Sequence, residues 1–173
     1  ISDNTSDSLG GGMRLAYSNP ILNNVTISNN TASLGGGMYL ADSDPILTNS
    51  IIWGNSPESI YLHSQTEEPI ITYSDIEGGL EGEGNISFFP FFTDSENSDY
   101  TLQSFSPCID TGTIIEDMEY CGEAPDMGAY EYCEEECGAE LADVTGDGQI
   151  NVLDLVQIAN LVLELSTPAY PCA

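Results

Sequence analysis

The sequence predicts an all-β solenoid, because one unit of 22 to 25 residues recurs about three times near its start. A glycine triplet at residues 10–12 recurs at residues 35–37, and each is followed by a Pro-Ile-Leu run, at Pro20 and at Pro45. Each unit holds runs of two to five strand-favouring residues separated by Gly, Asn, Asp, Ser and Pro, with no apolar period of 3.6. A repeat of this length indicates stacked units that share one continuous core.

The length of the unit decides which solenoid is expected. Three short strands and three turns fit into one unit at about 3.3 Å per strand residue, which makes one rung of a parallel β-helix. A leucine-rich repeat would need its frame of Leu and Asn, which the units lack. We therefore expect about three rungs over residues 1–76.

Alignment of the units predicts which side chains fill the interior. Like residues should stack in columns on three walls: Met13, Met38 and Ile60 beside Leu15, Leu40 and Leu62; then Leu22, Leu47 and Ile71; then Ile27, Ile52 and Ile76. The glycine triplets mark a corner that needs positive φ or close contact between rungs. Asn24 over Asn49 predicts a structural side-chain ladder in another corner.

Three stretches carry a family resemblance. The rung GGGMYLADSDPILTNSIIWGN, the stretch NISFFPFFTDSENSDYTLQSFSPCIDTG at residues 85–112 and PDMGAYEY at residues 125–132 resemble the C-terminal end of secreted bacterial right-handed parallel β-helix repeat proteins. The resemblance covers residues 1 to about 132 and implies a right-handed helix. Its members include carbohydrate-active enzymes, adhesins and proteins of unknown role, so it implies a fold and no single function.

After the rungs, a run rich in glycine and glutamate leads into an aromatic cluster, in which Phe88, Phe89, Phe91 and Phe92 occupy four of five positions. A solenoid must cover its last rung, so we expect residues 77–132 to form an irregular cap with these rings beneath it. An aromatic platform for sugars is the alternative. Residues 133–140 follow as an acidic linker.

The charge balance limits the partners of this chain. One Lys or Arg stands against 29 Asp and Glu, a formal net charge of -28. Such a surface repels nucleic acid and anionic lipid and attracts cations, and it suits either a salt-rich medium or a dedicated cation-binding surface. No apolar run is long enough to cross a bilayer, and nothing resembles a signal peptide, so we expect a mature or cut piece of a secreted or cell-surface protein.

Five cysteines in such a chain favour an oxidising compartment. Cys108 and Cys121 flank one acidic loop, and Cys137 and Cys172 flank the C-terminal segment, so we expect those two disulfides. Cys133 is then left free or bonded to another chain. A zinc site at Cys133 and Cys137 is disfavoured because their spacing is wrong and no His lies nearby.

The strongest chemical signal is a twelve-residue loop, DVTGDGQINVLD, at residues 143–154. Calcium takes six to eight oxygens, and an EF-hand loop supplies them from positions 1, 3, 5, 7, 9 and 12. Gly148 stands where such a loop bends, and Ile150 points inward. The predicted calcium ligands are Asp143, Thr145, Asp147, Gln149, Asn151 and Asp154.

This loop resembles a single type I dockerin repeat, since Asp154 stands where an ordinary EF-hand has Glu and no helical pattern precedes it. Dockerins use two such repeats, and one is present in residues 141–173. Residues 152–165 are predicted to be helical with one narrow polar stripe. We expect protein to cover the rest of that helix, from this chain or a neighbouring molecule.

No catalytic constellation is convincing, so we predict that the chain is not an enzyme. A β-helix lyase would need a base, and the sequence offers Arg14 and no Lys. A glycosidase would need converging carboxylates, whereas Asp42 and Asp44 fit turn chemistry before Pro45. His63 has no partner in its rung and is expected at the surface or in a groove.

The predicted function is a secreted, calcium-binding structural or adhesive β-solenoid module. Its N-terminal end should meet upstream rungs of the same protein or the end of another subunit, in the latter case building a filament. A cohesin-like or cell-surface protein, or a polysaccharide, is a further expected partner. The alternative function is the non-catalytic C-terminal part of a polysaccharide-degrading lyase or glycosidase with a dockerin-type anchor.

Overall fold

The computed structural model describes residues 1–63 and 68–133, together with residues 152, 153, 155, 156 and 159. The chain divides into two compact units, Ile1–Glu134 and Glu135–Ala173. Among the described residues of the first unit, the regular structure consists of short strands and one 3₁₀ turn. Among the residues that the structure describes in either unit, no helix is long and apolar enough to cross a membrane.

Nine strands form three parallel sheets, and each rung contributes one strand to each sheet. Sheet 1 contains β1 (Met13–Ala16), β4 (Met38–Ala41) and β7 (Ile60–His63). Sheet 2 contains β2 (Ile21–Asn23), β5 (Ile46–Thr48) and β8 (Ile70–Thr72). Sheet 3 contains β3 (Thr26–Ser28), β6 (Ile51–Trp53) and β9 (Asp75–Ile76). This arrangement confirms the predicted parallel β-helix of about three rungs.

The strand register confirms the predicted columns of apolar side chains. On the first wall, Met13 pairs with Met38 and Met38 with Ile60. On the other two walls, the aligned apolar residues of successive rungs also pair with one another. The middle rung is fully enclosed, with Met38, Leu40, Leu47 and Ile52 each at 0% exposure. Each such side chain contributes about 1.5–3 kcal/mol by leaving water, so the columns are the main stabilising element of the solenoid.

The glycine corner shows both predicted properties, positive φ and close contact between rungs. Gly10 and Gly35 have φ of +66° and +65°, which favours glycine. A Cβ on Gly36 would lie 2.2 Å from the Ser56 carbonyl oxygen, so a larger residue there would force neighbouring rungs apart.

An asparagine ladder exists, but at a different corner from the predicted one. The Asn4 Nδ2 donates to Asn30 Oδ1 at 2.9 Å, and the Asn30 Nδ2 donates to Asn55 Oδ1 at 3.0 Å. Asn24 and Asn49 instead have positive φ and bond to residues 126 and 113. The predicted ladder of Asn24 over Asn49 is therefore wrong, because these side chains turn outward to satisfy a different part of the chain.

Residues 86–133, here called the lateral segment, pack against the outer face of sheet 3. The segment begins as a continuation of that sheet, since Ile86 forms a parallel bridge with Asp75. It then forms an antiparallel hairpin from β10 (Phe92–Asp94) and β11 (Asp99–Leu102), joined by a 3₁₀ turn at Ser95–Asn97. A second core results from six buried residues: Ile51, Phe92, Tyr100, Leu102, Cys108 and Met127.

The lateral segment extends back as far as the first rung. The Tyr100 hydroxyl lies 2.9 and 3.0 Å from the two carboxylate oxygens of Asp3, and the Ala129 N–H donates to Thr26 Oγ1. Its beginning and the residues just before it continue the backbone pairing of the last rung, for example where the Tyr73 N–H donates to the Glu83 carbonyl. Most of the expected cap therefore lies along the side of the solenoid. Ile51 and Trp53 give the outer face of sheet 3 an apolar part, and Thr26 and Asp75 on the same face accept hydrogen bonds from the lateral segment.

In the second unit, the described residues of the predicted 152–165 helix have helical backbone and are exposed. Val152, Leu153, Leu155 and Val156 are 52% to 67% exposed. The expected cover of this helix by its own chain is not found at these four side chains. Cover by a neighbouring molecule stays a prediction.

Candidate functional site

The predicted calcium loop at residues 143–154 lies outside the described residues, except for Val152 and Leu153. Its ligand set of Asp143, Thr145, Asp147, Gln149, Asn151 and Asp154 therefore stays a prediction. Among residues 1–63, 68–133 and the five described later positions, no group of three or more His, Cys, Asp or Glu could hold a metal ion.

The cysteines pair differently from the prediction. Cys121 and Cys133 form a disulfide with their Cα atoms 5.4 Å apart, whereas Cys108 is a buried free thiol. The predicted Cys108–Cys121 bond and the leftover Cys133 are therefore wrong. The physical reason is that Cys108 belongs to the second core and faces sheet 3. The proposed partners Cys137 and Cys172 lie outside the described residues.

Cys108 contacts a buried carboxylate of sheet 3. Its Sγ donates to Asp75 Oδ2 at 3.3 Å, and the Phe88 N–H donates to Asp75 Oδ1 at 3.1 Å. Burial raises the pKa of Asp75 to about 6, against the lowering effect of these hydrogen bonds. Burial, followed by the negative charge of Asp75, raises the pKa of the Cys108 thiol far above its ordinary value. A thiol that stays protonated is a poor nucleophile, so this pair is structural.

A second group of acids organises the end of the lateral segment. Asp126 is 1% exposed and accepts hydrogen bonds from the N–H groups of Asp110 and Tyr132. Glu131 in turn accepts from the Asp126 N–H. Burial raises the pKa of both Asp126 and Glu131. Because both Asp126 oxygens and Oε1 of Glu131 accept from backbone donors, the group holds the local turns.

Four aromatic rings lie in contact at the outer surface, and we call them the aromatic cluster: Trp53, Phe89, Phe91 and Phe105. Successive ring centroids are 6.1, 5.1 and 4.9 Å apart. Phe89 and Phe105 are 55% and 63% exposed. The expectation that the phenylalanines lie beneath a cap is correct for Phe92 and wrong for Phe88, Phe89 and Phe91, because the cap lies beside them.

The ring orientations decide what the aromatic cluster can contact. The interplanar angles are 88°, 88° and 69°, so neighbouring rings meet edge to face. Such rings do not offer the flat, continuous surface that a row of sugars would need. They offer an irregular apolar surface of the kind that marks protein contacts. The alternative of a sugar platform at this cluster is therefore disfavoured.

A separate stack of rings lies on the outer face of sheet 1. Tyr39 and Tyr61 stack with centroids 5.4 Å apart and planes within 10°, and Tyr39 also stacks on His63 at 5.7 Å and 24°. The exposed position of His63 agrees with the prediction of a surface or groove residue. The tyrosine stack was not predicted, although the repeat alignment places Tyr61 over Tyr39.

Comparison with known proteins finds a family model that matches the solenoid part of the chain. Residues 1–85 match the family model described as a right handed beta helix region. No curated protein and no solved structure matches the chain. The family match and the three stacked parallel sheets together show that residues 1–85 form a right-handed β-helix region.

Proposed function

We propose that this chain is an extracellular adhesive and structural β-solenoid module whose contact surface is the aromatic cluster. The observation that carries the proposal is the exposure of Phe89 and Phe105 on a chain that is otherwise strongly acidic. A contiguous patch of exposed aromatic rings costs solubility, so it is typical of a surface that binds another protein.

The aromatic cluster has a rigid base. Trp53 belongs to β6, and its strand neighbour Ile51 is 1% exposed within the second core. Phe91 precedes Phe92, which is buried at 8% and contacts Tyr100 edge to face. Because Trp53 and Phe91 are held by buried residues near them in the chain, the base of the cluster loses little side-chain freedom when a partner binds, which favours adhesion.

The net charge of the chain limits which proteins can bind to the aromatic cluster. A net charge of -28 repels another acidic protein, so the partner should present apolar side chains surrounded by basic residues. A basic cell-surface protein satisfies both conditions. The Cys121–Cys133 disulfide supports an oxidising compartment such as the cell exterior.

The proposal includes calcium bound by residues 143–154, which supplies a second anchoring element. It also includes a rung supplied by upstream sequence or a neighbouring subunit, stacked on β1 and β2. Those strands lie at the edges of sheets 1 and 2, and Met13, Leu15 and Leu22 are only partly buried. Light scattering that shows a concentration-independent monomer up to millimolar protein would exclude stacking between copies.

Adhesion can be tested by surface plasmon resonance on a mixed methyl-terminated and amine-terminated layer, which imitates an apolar patch with a basic rim. We expect the wild-type chain to adhere and the double variant Phe89→Ser with Phe105→Ser to lose most of its adhesion. The matched control is Tyr17→Ser with Ile21→Ser, which removes two residues that are 83% and 68% exposed elsewhere on the solenoid. Equal losses in both double variants would show that the cluster has no special role.

A further inference from the structure

The last rung leaves one end of the inner apolar columns open. In the described part of the chain, β7 is an edge strand of sheet 1, and its Ile60 and Leu62 end the columns that Met13 and Leu15 begin. Leu62 is 43% exposed, whereas Leu40, one rung earlier, is at 0%. This end is open because the lateral segment lies along the side of the solenoid and not over it.

The residues that follow the last rung pair with two of its strands and not with the third. The Asn85 Nδ2 donates to the Ile71 carbonyl of β8 at 2.9 Å, and Ile86 forms a parallel bridge with Asp75 of β9. Among residues 68–133, none forms a backbone hydrogen bond with β7. The edge of β7 therefore offers backbone groups with which another strand can pair.

A cavity of about 150 Å³ lies beside this edge. Its lining consists of four apolar side chains and two acidic ones: Ile60, Leu62, Pro69, Leu80, Glu68 and Glu81. An enclosed apolar cavity of about 150 Å³ can hold a benzene ring, so this one has room for a single long side chain. Both acids are exposed, so they place negative charge at the mouth of the cavity. The lining therefore favours an apolar chain that ends in a positive charge.

We propose that the cavity takes a lysine side chain from an extended segment of a partner protein, and that this segment pairs with the edge of β7. The methylene groups of the lysine pack on Leu62 and Leu80, and its ammonium group remains near Glu68 and Glu81. Backbone hydrogen bonds to an edge strand supply affinity, and the cavity beside it supplies specificity. The net charge of -28 attracts a basic segment and repels an acidic one.

The probe is a capped peptide of sequence Thr-Val-Lys-Val-Thr, in which alternation along a strand directs the valines away from the face that carries lysine. Titration of the full chain, followed by NMR of the Leu62 and Leu80 methyl groups, gives a Kd for this site. Salt at about 0.15 M screens the general attraction of the acidic surface beyond about 8 Å. We expect shifts that saturate at both residues.

Three further probes separate the contributions to binding. The same peptide with norleucine in place of lysine lacks the ammonium group and should bind about fivefold more weakly. Replacing both valines by proline prevents strand pairing and should weaken binding about tenfold. Free butylammonium, which has no backbone, should bind at least about tenfold more weakly than the lysine peptide.

Charge at the mouth of the cavity is tested by Glu68→Gln with Glu81→Gln, which should weaken the lysine peptide about fivefold and leave the norleucine peptide unchanged. The matched control is Glu116→Gln with Glu119→Gln. It changes the net charge equally at exposed positions outside the cavity lining and should bind as the wild type does.

The apolar lining is tested by Leu80→Ser, which should weaken the lysine and norleucine peptides alike, by about threefold to fivefold. Leu34→Ser, at a leucine of similar exposure, is the control. The double variant Phe89→Ser with Phe105→Ser should bind the lysine peptide normally. That result distinguishes this site from the aromatic cluster, so either proposal can fail without the other.

Four outcomes overturn the proposal. The methyl groups do not shift, the norleucine peptide binds as tightly as the lysine peptide, the two double glutamate variants lose equal affinity, or butylammonium binds as tightly as the lysine peptide. The last outcome would assign the cavity to free alkylamines and not to a partner protein.

Discussion

The Cys108 thiol donates to Asp75 Oδ2 across 3.3 Å, and both residues are at 0% exposure. This contact joins the second core of the lateral segment to the last strand of sheet 3. It places an ionisable carboxyl where water does not reach, and the protonation state of that carboxyl should therefore affect stability.

Asp75→Asn should stabilise the protein above pH 6. The folded-state pKa of Asp75 is raised to about 6 from an ordinary 3.8, so the folded state favours the protonated form. The stabilising contribution of Asp75 is then fully present below pH 3.8 and is lost as the pH rises through about 6, by on the order of 3 kcal/mol. Urea unfolding of both proteins from pH 4 to pH 8 measures this difference.

Asn retains an acceptor for the Phe88 N–H and carries no charge, which makes it the appropriate substitution. Asp117→Asn removes one negative charge from an exposed loop and is the matched control. If Asp75→Asn and the wild type keep a constant stability difference across this pH range, the buried carboxyl does not titrate as described.

Asn30→Ala should destabilise the solenoid by about 2–4 kcal/mol, because it removes the central member of the asparagine ladder and leaves buried partners unsatisfied. Asn30 is at 0% exposure, and its amide donates to both Asn55 and the Ile1 carbonyl. The urea midpoint measures the loss. Asn97→Ala, at an exposed asparagine of the hairpin turn, is the control and should cost less than about 0.5 kcal/mol.

Tyr100→Phe should loosen the hairpin from the first rung. The Tyr100 hydroxyl donates to Asp3, and the Asn29 Nδ2 donates to the same hydroxyl at 3.0 Å. Since Asp3 is exposed, we expect a loss of only about 1 kcal/mol. Hydrogen exchange of β10 and β11 should accelerate while that of β5 stays unchanged. Tyr130→Phe, at a 50% exposed tyrosine, is the comparison, and equal exchange in both variants would contradict the role of this contact.

Calcium titration should show one site that depends on residues 143–154. Asp143→Ala combined with Asp154→Ala removes two of the predicted ligands and should abolish calorimetric binding at that site, because calcium needs their charged oxygens. Asp117→Ala with Glu123→Ala lowers the net charge equally at exposed positions and should leave the site intact. An unchanged stoichiometry in the first double variant would refute the assignment.

The solenoid was predictable because each rung repeats the sequence pattern of the rung before it. Met38 and Leu40 recur one rung on as Ile60 and Leu62, and a fixed period is enough to place them on one wall. The asparagines show the limit of that signal. Asn24 and Asn49 recur at the same 25-residue offset as Asn30 and Asn55, yet only the second pair points inward. Whether such an asparagine side chain points into the solenoid depends on the backbone φ at its corner, and the repeat period does not predict that angle.

The lateral segment was less predictable because its contacts join distant residues. Asn24 bonds to Asp126 across 102 positions, and no repeat relates the two. The cysteines show the same difficulty, since spacing alone did not distinguish Cys108 from Cys133 as the partner of Cys121. Both outcomes depend on the outer face of sheet 3, where Ile51 packs into the second core and Asp75 contacts Cys108, and the repeat gave no sign of either contact.

The return of the lateral segment to the first rung affects how the protein folds. A plain solenoid makes contacts between neighbouring rungs, so it can nucleate anywhere and fray from its ends. Here the pairs Asp3 with Tyr100 and Thr26 with Ala129 close loops of 97 and 103 residues. Such closures raise the contact order and slow folding. They also tie the first rung to the lateral segment, so the rungs and the lateral segment should unfold in one cooperative transition.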